Sequence, residues 1–259
     1  MAREQRLVFG EVAELYDRAR PSYPTALVDD LVALADQVAA PGTGRVLDVG
    51  CGTGKATVLL AARGLGGVGV EPDPDMAALA QRNLAAFARW EVEKAEFEAL
   101  FPPERGPFDV ITCGQAWHWL DPSRRFQHAS RLLRPGGWLA LFWNRTTTDT
   151  SEIRGAIDAV YAETFPTLSP HGYLTAGQPP AGDPPPESGF VDGTWRVFRW
   201  MARYTTAEWL ELVQTYSDHR MLPAADREIL LQRLAAVIDA RGGTFDHPYD
   251  CWLWSARRL

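Results

Sequence analysis

Apolar residues recur at helical spacing near the start of the chain. Ala26, Leu27, Leu31, Leu34, Ala35 and Val38 form one stripe of an amphipathic helix. Ahead of them, Tyr16-Asp17-Arg18-Ala19-Arg20-Pro21-Ser22-Tyr23-Pro24 carries two prolines that break the chain into a turn. These features predict an N-terminal helical cap over residues 1–44. From Arg45 onward, short apolar runs alternate with helical stripes. Val46-Leu47-Asp48-Val49 reads as a buried strand, Ala56 to Ala62 as a helix, and Val68-Gly69-Val70 as a second strand. Asp73 and Pro74 supply an N-cap and a first-turn proline. Met76, Leu79, Ala80, Leu84 and Phe87 are the stripe of the helix behind them.

Trp90-Glu91-Val92 is a weaker strand, and Phe108 to Cys113 is a clear one. Asp121-Pro122 opens a further helix that runs to about Leu133, where Pro135-Gly136-Gly137 stops it. Trp138 to Trp143 is the next strand. This alternation predicts βαβ units and a mostly parallel sheet with right-handed crossovers. Residues 166–190 interrupt the rhythm with prolines and glycines, including Pro184-Pro185-Pro186, and predict a long surface loop or lid. Trp195 to Tyr204 then reads as a strand, and Thr205 and Glu208 stand at capping-box spacing. Asp226 to Arg241 reads as a helix ended by Gly242-Gly243, and Cys251 to Trp254 as the last strand. A length of 259 residues suits a single domain, 1–259.

Composition changes the picture in three places. The net charge of -7 makes a poor partner for a phosphate backbone, so no nucleic-acid partner is expected. Lysine is confined to Lys55 and Lys94 beside abundant arginine and alanine, the usage of a GC-rich bacterial genome. Cys51, Cys113 and Cys251 are far apart with no CxxC, which argues against a disulfide framework and a metal site alike. No run reaches transmembrane length and Met1 to Gly10 lacks an apolar signal region, so a cytoplasmic protein without membrane partner is expected. Oligomeric state is left open.

The chemistry centres on Asp48-Val49-Gly50-Cys51-Gly52-Thr53-Gly54, placed between the first strand and its helix. Glycines let the backbone turn sharply and approach a ligand, and the helix start behind them offers free N–H groups. The dinucleotide fingerprint GxGxxG needs a third glycine where Lys55 or Thr57 stands. A P-loop needs Ser or Thr where Ala56 stands. Neither motif fits.

The acidic-x-Gly-x-Gly-x-Gly run resembles motif I of class I S-adenosylmethionine-dependent methyltransferases. Four more elements come after it in the family's order: Glu71 at the end of strand two, Ala95-Glu96, Phe108-Asp109-Val110-Ile111, and Leu133-Arg134-Pro135-Gly136-Gly137. The resemblance covers about residues 12 to 145. Tyr16 to Pro24 and Tyr216 to Pro223 are similar to blocks of a subgroup that includes trans-aconitate methyltransferase-like proteins. It implies a doubly wound, Rossmann-like, mostly parallel seven-stranded sheet with an antiparallel C-terminal strand, N-terminal helices and a lid-like insertion. It also implies S-adenosylmethionine as donor, S-adenosylhomocysteine as product and a small-molecule acceptor.

The implied donor site comprises Tyr16, Arg20, Asp48, Gly50, Cys51, Gly52, Gly54, Glu71, Pro72, Met76, Ala95, Glu96 and Gln115. Glu71 can accept two ribose hydroxyls, and Glu96 would hold the adenine edge or stand as a surface acid. Asp48 either shapes the turn or touches the ligand. Cys51 has no base paired with it in sequence and is not read as a nucleophile. Tyr16 and Tyr23 are aromatics able to cover a sulfonium.

Gln115-Ala116-Trp117-His118-Trp119-Leu120-Asp121 comes after strand four, at the sheet edge where ligands bind. It is similar to the His-Trp segment of small-molecule carboxyl methyltransferases, which implies that the Trp119 indole donates to an acceptor carboxylate. Packing is the alternative for Trp117 and Trp119, and His118 is a general base, a ligand contact or a scaffold residue. The Gln those relatives use near the N-terminus has no counterpart here, and Arg20 is the substitute cation. A nicotinamide oxidoreductase, a binding module without turnover and a methyltransferase of RNA or protein remain the competing readings.

Overall fold

The computed structural model describes residues 13–97, 105–147, 151–168 and 182–259. Seven strands form one sheet: β1 (Arg45–Val49), β2 (Gly66–Val70), β3 (Trp90–Glu93), β4 (Phe108–Gly114), β5 (Leu133–Thr146), β6 (Phe190–Thr205) and β7 (Thr244–Arg258). Their order is β3-β2-β1-β4-β5-β7-β6. The sheet is mostly parallel with an antiparallel C-terminal pair, the doubly wound architecture the pattern predicts. β1 pairs in parallel with β2, Arg45 opposite Gly66 through Val49 opposite Val70, and on its other edge with β4, Val46 opposite Val110. Strand order therefore reverses between β1 and β4, and their carboxyl ends open the crevice where ligands bind in such sheets.

The helices are α1 (Ala13–Ala19), α2 (Thr25–Asp36), α3 (Lys55–Ala62), α4 (Pro74–Leu84), α5 (Arg125–Leu132), α6 (Glu152–Thr164), α7 (Thr206–Gln214), α8 (Ser217–Arg220) and α9 (Ala224–Asp239). Local chemistry sets several boundaries. The Asp73 carboxylate accepts from Asp75 N and Met76 N and starts α4, with Pro74 at its first position. Thr205 and Glu208 form the expected capping box on α7. Gly242 and Gly243, both at positive φ, end the α9 segment, and Gly243 N returns to Ile238 O.

The chain packs as two compact units. Residues 22–144, 178–198 and 251–259 form the unit that carries the glycine turn. Its core joins Leu47, Val49, Ile111, Leu139 and Leu141 to Trp117 and Phe126. Residues 1–21, 145–177 and 199–250 form an aromatic-rich unit with its own core of Tyr161, Trp209, Tyr216, Leu230, Leu234 and Tyr249. The cap predicted over 1–44 is thus shared: α1 lies in the aromatic unit and α2 in the glycine-turn unit. Of the stretch predicted as loop or lid, 166–190, residues 169–181 lie outside the described residues, and Pro186–Ser188 makes one 3-10 turn before β6.

Three boundaries differ from expectation. Asp121 does not cap a helix. Its carboxylate takes the Ser123 N–H and hydroxyl in a turn, and α5 begins only at Arg125. Pro135-Gly136-Gly137 does not separate helix from strand. Phe108 opposes Leu133 while Val110 opposes Trp138, so the intervening residues are a bulge within β5. β6 and β7 outrun their predicted spans, because the early residues of β6 are mostly exposed and those of β7 alternate exposed and buried, so neither carries a continuous apolar signal.

Candidate functional site

The turn after β1 is built around a buried acid. Asp48 is 1% exposed. Its carboxylate accepts from the Thr57 hydroxyl at 2.5 Å and the Thr112 hydroxyl at 2.9 Å. Burial pushes its pKa up to about 6, against the two hydroxyls that favour the anion. Asp48 thereby ties β1 to α3 and β4, and both its oxygens are engaged inside the protein.

Beyond it the backbone bends through Gly50, Gly52 and Gly54, all at positive φ. Gly50 has a second constraint: a Cβ there would stand 2.6 Å from the Ala116 Cβ. Gly50 N and Cys51 N donate to Val70 O, which fastens the turn to β2, and Asn83 reaches from α4 to the Thr53 carbonyl at 2.9 Å. Cys51 is buried and its thiol is raised well above its ordinary range by burial, which keeps it neutral. α3 starts at Gly54 with no side-chain cap, so the positive end of the helix dipole faces the turn.

Glu71 closes the second side. One oxygen accepts from Gly52 N at 2.9 Å and the other from Asp73 N at 3.0 Å. A carboxylate offers about four lone-pair directions, so these two bonds alone do not exhaust it. Pro72 comes directly after it and is half-buried. Met76 is buried, its methyl 3.5 Å from where a Gly52 Cβ would lie. Ala95 is buried and donates its N–H to Glu71 O, whereas Glu96 is exposed.

At the end of β4, Gln115 sits at φ 61, a left-handed conformation that costs a non-glycine residue about 1–3 kcal/mol. Its N–H to Phe142 O at 2.9 Å and its side-chain N–H to Asn144 O at 3.1 Å hold it there. Asn144, buried, donates in turn to Ser22 O at 2.8 Å. Trp117 is wholly buried against Phe126 and Arg125. His118 is exposed, and its ring lies 4.8 Å from the half-buried Trp119 ring.

Asp48, Gly50, Cys51, Gly52, Gly54, Glu71, Pro72, Met76, Ala95, Glu96, Gln115, His118 and Trp119 thus belong to the glycine-turn unit, whereas Tyr16 and Arg20 belong to the aromatic unit. Sequence reasoning missed Thr57, Thr112, Asn83 and Asn144, whose polar side chains carry no spacing signal. Among the described residues no group of three or more His, Cys, Asp or Glu could hold a metal ion. No helix among them is long and apolar enough to cross a membrane.

The strand order β3-β2-β1-β4-β5-β7-β6, the glycine turn at its switch point and the acid at the end of β2 resemble the class I S-adenosylmethionine-dependent methyltransferases. Residues 47–141 match the family described as a methyltransferase domain. An uncharacterized methyltransferase of Mycobacterium tuberculosis is 40% identical over 147 residues, 55% of this chain and 54% of that protein. A ubiquinone biosynthesis O-methyltransferase of Leptothrix cholodnii is 35% identical over 100 residues, 38% of this chain and 43% of that protein. The chain thus spans about half the length of the curated relatives it matches. A solved structure assigned to a type II methyltransferase from Anaeromyxobacter dehalogenans superposes with a TM-score of 0.64. It is 23% identical and covers 92% of this chain and 97% of that one.

Proposed function

We propose that this chain transfers a methyl group from S-adenosylmethionine to a small-molecule acceptor, by O-methylation of a carboxylate or secondary metabolite. The observation that carries the proposal is the Glu71 carboxylate fastened to Gly52 N at 2.9 Å, at the carboxyl edge of the sheet. That arrangement suits a ribose diol beside a backbone turn. The donor, when bound, supplies an electrophilic methyl. Glu71 takes its ribose hydroxyls, the uncapped start of α3 takes its negative end, and Met76 and Ala95 give the base an apolar seat.

A carboxylate acceptor is already ionised at neutral pH and needs no general base, which agrees with an exposed His118. The Trp119 indole N–H is the donor we assign to it, holding an oxygen in line with the methyl. Orientation of this kind supplies of order 7–11 kcal/mol in favourable cases. The net charge of -7 favours a small molecule over nucleic acid, and three free buried cysteines suit a reducing bacterial cytoplasm.

Calorimetric titration with S-adenosylhomocysteine, with NADH as the control ligand, tests the donor. Binding of the first alone is expected. Binding of NADH alone would replace the reading with an oxidoreductase, and binding of neither would replace it with a module that has lost its ligand.

A further inference from the structure

The buried apolar run of β5 turns polar at Asn144. Leu139, Ala140, Leu141, Phe142 and Trp143 are buried, and Asn144 is equally so at 1% exposed. A leucine there would suit a buried strand as well, so packing alone does not call for an amide. Asn144 is engaged in two directions. Its backbone carbonyl accepts from the Gln115 side chain at 3.1 Å, and its side-chain N–H donates to Ser22 O at 2.8 Å. Ser22 and Asn144 are the first and last residues of the segment 22–144, so this bond clasps the two ends of that segment.

What the clasp holds next to it is Tyr23. The Tyr23 ring meets the Phe142 ring edge-on, centres 4.9 Å apart and planes at 88°. Its hydroxyl oxygen stands 2.8 Å from where a Gly114 Cβ would lie, and the Phe142 ring stands 2.5 Å from the same point. Gly114 pairs with Phe142 at the end of the β4–β5 ladder. The missing side chain of Gly114 is thus what lets the phenol lie against the end of β4. Gln115 comes next, held at φ 61 by its bonds to Phe142 O and Asn144 O. Phe142 and Asn144 therefore fix two neighbours at once. Their carbonyls hold Gln115, and the Phe142 ring and the Asn144 amide hold the Ser22–Tyr23 stretch. Both neighbours meet at the carboxyl end of β4, next to Ala116, the residue that Gly50 of the turn approaches.

We propose that Asn144 is a positioning residue for methyl transfer: acting through Ser22, it seats the Tyr23 phenol at the carboxyl end of β4 for contact with the reacting end of the donor. The inference rests on the reading that the donor lies at the glycine turn. The donor supplies a positive sulfonium there, and the ring face of a phenol favours a positive charge. Such a contact depends on where the ring is held, and the Asn144 bond to Ser22 is what ties its backbone down. Calorimetry on the full chain tests the assignment with S-adenosylhomocysteine and sinefungin, an analogue that carries an amine in place of the transferring methyl. The first reads donor binding as a whole, and the affinity of the second relative to the first reads the surroundings of the reacting end.

Asn144→Leu keeps the backbone carbonyl on Gln115, fills the buried space and removes the bond to Ser22. It is expected to lower the relative affinity for sinefungin by about threefold to tenfold, the worth of one hydrogen bond. Tyr23→Ala is expected to lower it at least as far. The double variant should go no further than Tyr23→Ala alone, because one residue acts through the other. A clasp that serves stability alone would weaken resistance to urea and leave the relative affinity native. A native relative affinity in folded Asn144→Leu, or losses that multiply in the double variant, overturns the proposal. If Asn144→Leu fails to fold, Asn144→Ala is judged by the same criteria, and failure of both to fold makes Asn144 a stability residue and overturns the proposal too. Failure of the donor reading looks different: the native chain then binds neither probe, or Glu71→Ala binds S-adenosylhomocysteine as tightly as the native chain does, and the proposal falls with it.

Discussion

Glu71 stands 2.9 Å from the backbone nitrogen of Gly52, so the acid at the end of β2 is fastened to the middle of the turn after β1. One side chain both shapes the turn and presents acceptor oxygens beside it.

Glu71→Ala removes both roles. Loss of a charge-assisted hydrogen bond predicts a fall of about 1–3 kcal/mol in affinity for S-adenosylhomocysteine. Calorimetry reads this directly, and unchanged affinity would remove Glu71 from the ribose site.

Asp48 predicts a pH signature. Its folded pKa of about 6 lies above the ordinary carboxylate value, so the native state holds the proton more tightly than the unfolded chain. Stability from this group is greatest below about pH 4, falls as pH rises to about 6, and is flat beyond. Asp48→Asn removes the titration. The stability of the variant relative to the native chain should therefore rise between pH 4 and 7, by up to about 3 kcal/mol. Urea unfolding at the two pH values measures it, and a difference constant with pH would contradict it.

Two tryptophans two residues apart should behave differently. Trp117 is wholly buried, so Trp117→Ala is expected to cost about 3–5 kcal/mol of stability. Trp119→Phe should leave stability and donor binding near native and lower turnover on a carboxylate acceptor. Equal turnover would sink the indole–carboxylate contact.

In the aromatic unit, buried His219 donates its Nδ1–H to Asp218 at 2.7 Å, so its Nε2 accepts the Tyr161 hydroxyl at 2.8 Å. Tyr161→Phe leaves that nitrogen without a donor. A loss of about 1–3 kcal/mol in urea unfolding is expected, and no loss would mean that the network is dispensable.

Much of the glycine-turn unit was legible because its signals are local. The apolar run Val46 to Val49 can only be central, Gly50-x-Gly52-x-Gly54 demands a positive-φ turn, and Asp73-Pro74 caps the helix behind β2. What the sequence left open or misplaced shares a cause. Whether Trp117 or Trp119 packs depends on a 3-10 turn, with about three residues per turn, that places the two rings on different faces, and no periodicity along the chain encodes it. Asp121 looks like a cap but spends its carboxylate on Ser123. The fate of Asp48 depended on Thr57 and Thr112, one of them from a distant strand. Tyr16 and Arg20, expected among the donor contacts, belong to the aromatic unit, a membership that spacing along the chain does not encode.

That partition bears on how the protein is made. The glycine-turn unit draws on residues 22–144 but also on 178–198 and 251–259, and Leu259 N bonds to Gly189 O at 2.9 Å. During synthesis, the residues of the glycine turn leave the ribosome long before the strand ends that complete their own unit. A nascent chain halted after residue 144 holds every glycine of the turn yet lacks part of the sheet beneath it. Such a fragment is expected to leave apolar sheet surface uncovered, and cutting the gene at the edges of the 47–141 match would reproduce that unfinished state.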